Sequence, residues 1–390
     1  MKVLEVLDSF YPSIDGPINA IVNIAKTLKS KNLAEVDLLV PKYKEVVEIK
    51  GINIYRCASI AGPEGYMICL PNVNVRNLIK NGGYDIVHVH SPFPLGKYAI
   101  DVAKKYGIPC LMTVHTKFKS DFERKLKSKL LQKFMLKYIM QPVNKADYVL
   151  SVSEGAGETV KEYGYKGENV YIIRNGTDML PCKPNKKIEE EIIEKYSLKD
   201  KVVFLFVGRV VENKNIQFSL EVLKKMLDKG FNKFKFLIVG DGGYLEKLKA
   251  LVEELGLGDN VVFVGKIMDR TLLASYYQVA DLFLFPSTFD TCGIVVIEAA
   301  ANKLASVLIE NSCASELIEN SKNGLCFPED PSVWADALIK IVSDKTRLKV
   351  LGEEAFKSVY VKWEDIALLY YEFYLDVLNG NVKKKEDSNV

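Results

Sequence analysis

Short apolar runs alternate with amphipathic stretches along nearly the whole chain. In the first half the runs are Val3–Leu7, Val36–Val40, Ile86–His90, Cys110–His115 and Tyr148–Ser153. In the second half they are Val202–Gly208, Phe234–Gly240, Val261–Gly265, Leu282–Phe285 and Ala305–Ile309. Such runs read as buried strands, and the longer periodic stretches between them as helices. Strands that alternate with helices build parallel sheets, because each parallel crossover needs a covering element. The pattern therefore predicts an α/β protein with two doubly wound sheets. Ligands of such sheets bind beyond the carboxyl ends of the strands.

The alternation is interrupted once. Pro181, Pro184 and the charged run Lys186–Glu190 place a linker near Asp178–Asp200. Residues 1–178 and 179–362 are the domains this implies. Trp363–Leu378 reads as an aromatic helix, and the polar tail 381–390 as disordered. At 390 residues the chain exceeds one typical core. Its 48% hydrophobic and 26% charged residues are those of a globular protein. No run of about 18 apolar residues marks a spanning helix. Met1–Asp8 carries acids and reads as a first strand, not a signal peptide. The seven cysteines are odd in number, scattered and without a Cys-x-x-Cys, which predicts reduced thiols in a cytoplasmic protein and no metal.

Charge changes the picture further. Residues 1–180 hold 25 Lys/Arg against 18 Asp/Glu, a net +7, so the rest of this +3 chain is −4. An anionic surface or substrate for the first half explains the imbalance, as does an uneven scatter of solvated charge. The excess is densest between Lys117 and Pro142, with eight cations (Lys117, Lys119, Arg124, Lys125, Lys127, Lys129, Lys133, Lys137) against Asp121 and Glu123. Ser120 and Glu123 have the spacing of a capping box. Phe122, Leu126, Leu130, Phe134 and Tyr138 recur every four residues. A helix of this kind lies on an anionic membrane, or else packs its stripe into the core and solvates its basic face.

Two loops carry the candidate chemistry. Pro286–Ala301 reads as strand end, loop and helix: Pro286 stops a strand, Gly293 permits a tight turn, and a helix starts at Ile294. Backbone N–H groups at a helix start hold anions, and Asp290 and Glu298 add acceptors for hydroxyl groups. The second loop follows Phe206-Val207-Gly208 and offers Arg209 and Lys214, five residues apart, as phosphate-binding cations. After the first strand, Gly16 allows close backbone approach and Pro17 suits a helix start. Asp241-Gly242-Gly243 and Asn175-Gly176-Thr177-Asp178 read as turns. All three histidines lie at two strand ends. Alternation puts His88 and His90 on one face, as packed, hydrogen-bonded residues without a fourth metal ligand; His115 ends its own strand.

The Asp290–Glu298 segment resembles the acid-x7-acid motif of the retaining family 4 glycosyltransferases. Gly208-Arg209 with Lys214, the Gly16 loop and the final helix fit the same family in the same order. The resemblance implies the GT-B fold, two facing Rossmann-like doubly wound domains with a deep cleft between them. It also implies that the last helix, about 363–380, crosses back onto the first domain. By resemblance, Arg209, Lys214 and the helix start after Gly293 neutralise a leaving diphosphate. Glu298 holds ribose hydroxyls, while Asp290 and the backbone of Thr291, Cys292, Gly293 and Ile294 hold the sugar. Gly16 faces the donor, and His115 contacts the transferred sugar near its reacting carbon. The chain departs from the family at Asp290, where Glu is usual, at Gly16-Pro17 in place of Gly-Gly, and at Asn302–Ser306, where Gly and Pro are usual.

The function implied is transfer of a hexose, with glucose from UDP-glucose as the leading donor, with retained configuration by same-face attack. There is no Asp-x-Asp pair to hold a metal, and no cofactor is expected. The family includes lipid glucosyltransferases with a basic helix in the 117–142 region. That favours a lipid acceptor such as diacylglycerol and a peripheral place on the inner face of a membrane, held by Lys125, Lys127, Lys129 and Lys133. A soluble or polyprenyl-linked glycan acceptor and an inactive nucleotide-sugar-binding subunit are the alternatives. An oxidoreductase lacks support, because no Gly-x-Gly-x-x-Gly opens a helix after the first strand. No nucleic-acid partner is expected.

Overall fold

The computed structural model describes residues 1–12, 16–62, 66–181 and 184–382. Most of the tail and part of the loop before Gly16 (Ser13, Ile14, Asp15) lie outside the described residues. The chain forms two compact units: Met1–Gly176 together with the segment from Trp363, and Thr177–Lys362.

In the first unit the strands are β1 (Lys2–Val6), β2 (Glu35–Pro41), β3 (Ile54–Cys57), β4 (Ser59–Ala61) and β5 (Met67–Cys69). β6 (Ile86–Val89), β7 (Cys110–Val114), β8 (Tyr148–Ser151) and β9 (Tyr171–Ile172) follow. Its helices are α1 (Gly16–Ser30), α2 (Val73–Asn81), α3 (Pro94–Lys105), α4 (Phe118–Lys125), α5 (Lys129–Lys145) and α6 (Glu154–Glu162). Among the described residues, seven strands form one parallel sheet in the order β3-β2-β1-β6-β7-β8-β9, while β4 and β5 pair as an antiparallel ribbon.

The second unit opens with α7 (Lys186–Lys195), β10 (Val202–Val207), α8 (Ile216–Asp228), β11 (Phe234–Val239) and α9 (Leu245–Glu254). β12 (Val261–Gly265), α10 (Arg270–Val279), β13 (Leu282–Phe285), α11 (Ile294–Ala301) and β14 (Ser306–Ile309) come next. β15 (Leu325–Phe327), α12 (Pro331–Ile341) and α13 (Lys345–Ser358) complete it, and α14 (Trp363–Leu378) returns the chain to the first unit. Its sheet runs β12-β11-β10-β13-β14-β15, with all pairs parallel.

Both sheets are covered on two faces, which is why their strands read as continuous apolar runs. Phe204, Phe206, Phe234, Phe236, Phe283 and Phe285 are fully buried in the second core, beside Trp334. In the first unit α14 packs on α1 and buries Trp363, Ile366, Ala367, Tyr370, Tyr374 and Val377, one helical stripe.

Two local expectations are corrected. The segment read as a linker contains α7, capped by Asn185 and buried at Ile192 in the second core. Its prolines precede the helix, where they break nothing. The supposed capping box lies inside a helix, because α4 begins at Phe118, before Ser120. Leu126 is extended, so the four-residue stripe is broken, and Ser128 caps the separate α5 by accepting from Leu131 N.

Candidate functional site

β10 and β13 are neighbours in the middle of the second sheet, and the two candidate loops leave their carboxyl ends. The β10 loop passes Gly208 and Arg209, makes a tight turn over Glu212–Lys214, and enters α8 through Asn215 at φ 54°. Asn tolerates this left-handed conformation. The β13 loop enters α11 through Gly293 at φ 67°, where a Cβ would also sit 2.9 Å from the Ala314 Cβ. Only Gly meets both demands. The next loop along packs by backbone: a Cβ on Gly240 would lie 1.8 Å from the Gly208 carbonyl oxygen.

Side chains join the two candidate loops. Ser287 Oγ donates to Asn213 O (3.3 Å), and Asn215 Nδ2 donates to Pro286 O (3.4 Å) and Glu329 Oε1 (2.8 Å). Lys214 Nζ pairs with Asp290 Oδ1 at 2.5 Å. Burial works to raise the Asp290 carboxyl, but Lys214, with Arg209 adding to it, outweighs burial and holds it below its usual value. Asp290 Oδ2 is buried. The structure thus brings together Arg209, Lys214, Asp290 and the start of α11, which sequence spacing separates by some eighty positions.

Glu298 sits on α11 with both oxygens engaged. Oε1 accepts from Arg270 (2.8 Å) and Oε2 from the Tyr277 hydroxyl (3.0 Å). Arg270 also pairs with Asp178 at 2.6 Å. Burial raises the Glu298 carboxyl, and Arg270 only partly offsets it. Arg270 and Tyr277 carried no sequence signal: they lie on α10, 28 and 21 residues from Glu298.

In the first unit the three histidines form one buried array rather than a packed pair and a separate His115. Glu5 and His88 are register partners on β1 and β6. His90 Nε2 lies 2.6 Å from Glu5 Oε2, and His90 Nδ1 lies 2.9 Å from His115 Nε2. Tyr374 of α14 donates to Glu5 Oε1 (2.8 Å) and lies 2.7 Å from His88 Nδ1, while His88 Nε2 meets Thr113 Oγ1 at 2.7 Å. Burial opposes the charge of Glu5, but His88 and His90 outweigh it and hold the carboxyl well below its usual range. Burial lowers His90 to about 4, and His88 adds to this against the pull of Glu5. His115 is pushed well below its usual value, by burial first and then by His90 and His88. Glu5 was legible as a lone acid inside an apolar strand, a position that demands a partner.

Ligand atoms of Glu5, His88 and His90 fall within 4.8 Å of one another. Tetrahedral bonds of about 2.0 Å would hold ligand atoms about 3.3 Å apart. The 2.6 Å between Glu5 Oε2 and His90 Nε2 is a hydrogen-bond distance instead. The donor set therefore fits protons better than an ion.

The basic segment packs Phe122 and Tyr138 on the first core but leaves other apolar side chains in solvent. Leu130 is 80%, Phe134 63% and Leu131 44% exposed on the first turns of α5, while Ile139, Met140 and Val143 further along are buried. The lysines at 127, 129 and 133 flank the exposed group in sequence. Among the described residues no helix is long and apolar enough to cross a membrane.

The fold and these loops define a glycosyltransferase. Two family models match, "Glycosyltransferase Family 4" over residues 14–179 and "Glycosyl transferases group 1" over 188–358, and the chain belongs to this family. It is similar to an alpha-monoglucosyldiacylglycerol synthase of Streptococcus pneumoniae, 26% identical over 99% of this chain and 88% of that one. A protein of the same description from Acholeplasma laidlawii is 27% identical over 98% and 99%. A GDP-mannose-dependent alpha-mannosyltransferase of Corynebacterium glutamicum is 23% identical over 97% and 89%. Among solved structures, Anabaena HepE in complex with UDP is 17% identical, with a TM-score of 0.78, over 96% of this chain and 100% of that one. Sucrose-phosphate synthase of Thermosynechococcus elongatus is 21% identical, with a TM-score of 0.75, over 97% and 100%. The fold is that of the GT-B glycosyltransferases.

Proposed function

We propose that the protein transfers glucose from UDP-glucose to a hydroxyl of a membrane lipid of the diacylglycerol type, with retained configuration and without a metal. The observation that carries the donor half is the meeting of Arg209, Lys214 and Asp290 at the carboxyl ends of β10 and β13. Two cations and a helix start neutralise a leaving diphosphate, a form of electrostatic catalysis. The Asp290 carboxylate and the backbone of Thr291, Cys292, Gly293 and Ile294 take sugar hydroxyls. Glu298 takes the ribose, with Arg270 and Tyr277 holding its carboxylate in place. Gly16 lies against the donor, and His115 contacts the transferred sugar. The departing phosphate takes the proton of the attacking hydroxyl, which calls for no carboxylate nucleophile.

The lipid half rests on the start of α5, where exposed Leu130, Leu131 and Phe134 accompany Lys129, Lys133 and, just before the helix, Lys127. Apolar side chains set among lysines suit an anionic membrane face, and the two synthases named above act in the same direction. A peripheral place on the inner leaflet follows from the same reading. The test is transfer from labelled nucleotide sugars in EDTA, with and without anionic liposomes containing diacylglycerol. Label entering the lipid from UDP-glucose is the expected result. Donor hydrolysis without lipid labelling would overturn the acceptor; transfer only after metal is restored would overturn metal independence. No consumption of any donor would favour a nucleotide-sugar-binding subunit.

A further inference from the structure

The ribbon formed by β4 and β5 carries apolar side chains on the face turned to water. Register pairs Ser59 with Cys69, Ile60 with Ile68 and Ala61 with Met67. Side chains alternate between the two faces of a strand. Cys69 is buried in the first core, so Ile68 and Leu70 on either side of it point outward, as does Ile60 opposite Ile68. These three, with Val73 at the start of α2, are 41–53% exposed. An antiparallel pair with one solvated face ordinarily carries polar residues there. Here the stretch Cys57–Val75 holds a single charged residue, Glu64, in a chain that is 26% charged. Clustered exposed apolar side chains of this kind mark a contact surface.

We propose that the β4–β5 ribbon is a second membrane contact, in which Ile60, Ile68 and Leu70 enter the acyl region of an anionic bilayer while the lysines at the start of α5 stay among its headgroups. The lipid partner of the ribbon rests on the membrane reading of α5 given above. The two patches are continuous through α3, which packs against α2, β5 and α5. Its Tyr98 hydroxyl donates to Asn72 O (3.2 Å) at the exit of the ribbon, and the adjacent Lys97 donates to Gln141 of α5 (2.7 Å). The ribbon follows the carboxyl end of β3, and α4 and α5 follow that of β7. Both patches therefore leave the same end of the parallel sheet. β3 and β7 are separated by four strand spacings, about 19 Å, so two contacts define a plane of approach where one would leave the protein free to tilt. Charge selects lipid over a second copy of the chain. α2 (Arg76, Lys80) and α5 (Lys129, Lys133, Lys137, Lys145) contain cations and no acid. That frame complements an anionic lipid face, whereas an isologous dimer would set the cations against their own copies.

The probe is a tryptophan placed in the full-length protein, mixed with vesicles of phosphatidylglycerol and phosphatidylcholine whose acyl chains carry bromine, a contact quencher. Trp334 and Trp363 are both buried and give a constant background. Ile68→Trp should lose most of its added emission. Leu369→Trp is the control. The connections β1–α1–β2 and β6–α3–β7 run in opposite directions along the sheet, so right-handed crossovers put α1 and α3 on opposite faces. α14 packs on α1, so Leu369, exposed on α14, should stay unquenched. Ile60→Thr with Ile68→Thr keeps β-branched side chains in the ribbon. It should weaken vesicle binding about tenfold, equally at low and high salt, because no charge is removed.

Vesicle binding with Ile68→Trp unquenched overturns the ribbon contact and leaves α5 as the membrane site, and so does unchanged binding of the threonine variant. Equal quenching at Ile68→Trp and Leu369→Trp overturns it as well, since no face is then preferred. A wild-type dimer that the threonine variant dissociates, read by analytical ultracentrifugation, would assign the ribbon to a second copy instead. Should Ile68→Trp fail to fold, the threonine variant decides alone. A wild type that binds no vesicle at any salt concentration sinks the membrane reading of α5 itself, a result distinct from bound protein with an unquenched ribbon.

Discussion

The pair Lys214–Asp290 sets the clearest expectation for a single side chain. Lys214→Ala removes a preorganised cation from the proposed diphosphate site and should lower kcat by about a hundredfold, measured with saturating donor; a change under threefold would remove Lys214 from the chemistry. Glu298 behaves differently, because its carboxylate also satisfies neighbours. Glu298→Ala strands the buried Tyr277 hydroxyl and leaves Arg270 paired with Asp178 alone. It should cost about 1–3 kcal/mol in stability, read as a lower Tm, besides its loss of activity. Glu298→Gln keeps an acceptor and should recover most of the Tm. Equal melting of the two variants would show that Arg270 and Tyr277 do not depend on this oxygen pair. Asp290 was legible because its loop carries a proline, a glycine and a spacing. Arg270 was not, because a surface arginine at a helix start has nothing in its own neighbourhood to announce a partner 28 residues away.

Helices and strands carry the next expectations. Asp8 leaves β1 and accepts from Leu95 N (2.8 Å) and Gly96 N (3.0 Å), so a carboxylate closes the start of α3. Burial nonetheless raises Asp8 from 3.8 to about 6, against the pull of those amides and Ser91. Its native pKa is above its unfolded one, so the folded protein binds the extra proton and Asp8 favours folding most at low pH. That contribution is lost as pH rises from about 4 to 6. Relative to wild type, Asp8→Asn should gain about 2 kcal/mol between pH 4 and pH 7; parallel urea-melt stabilities across this range would contradict the assignment. In the basic segment, neutralising Lys125 at the end of α4, Lys127 between the helices, and Lys129 and Lys133 on α5 to Gln should weaken binding to anionic liposomes by a hundredfold or more, at about 1 kcal/mol per charge. Added salt should weaken wild-type binding in the same way. Leu130→Ser with Phe134→Ser should weaken it with the salt dependence kept. Binding unchanged in both variants would leave α5 without a membrane role. Ten strands were legible as apolar runs, whereas β3, β4, β5, β9 and β15 were not, since Arg56 interrupts β3 and the other four are only two or three residues long. The break between α4 and α5 was hidden because Leu126 keeps the four-residue spacing while its backbone turns extended.

At the level of the whole molecule, the first unit is built from two distant stretches of chain. α14 supplies Tyr374 to Glu5, a hydrogen bond spanning 369 residues, and no local pattern predicts such a partner. A chain ending at Lys362 would expose the face of α1 that α14 covers and leave Glu5 and His88 without that hydroxyl. It should lose the melting transition of the first unit while the fragment Thr177–Lys362 still resists limited proteolysis. Survival of both transitions would show that the first unit stands without its last helix. The same arrangement has a consequence for how the protein is made. A ribosome delivers the first unit's strands early and its closing helix only after the whole second unit. At roughly 5–20 residues per second, the nascent β1–β9 sheet waits some ten to forty seconds for Trp363 and Tyr374, while the second unit, uninterrupted in sequence, is free to finish first. The unit begun first is completed after the one begun second, and during that interval its uncovered apolar face is what a chaperone would meet.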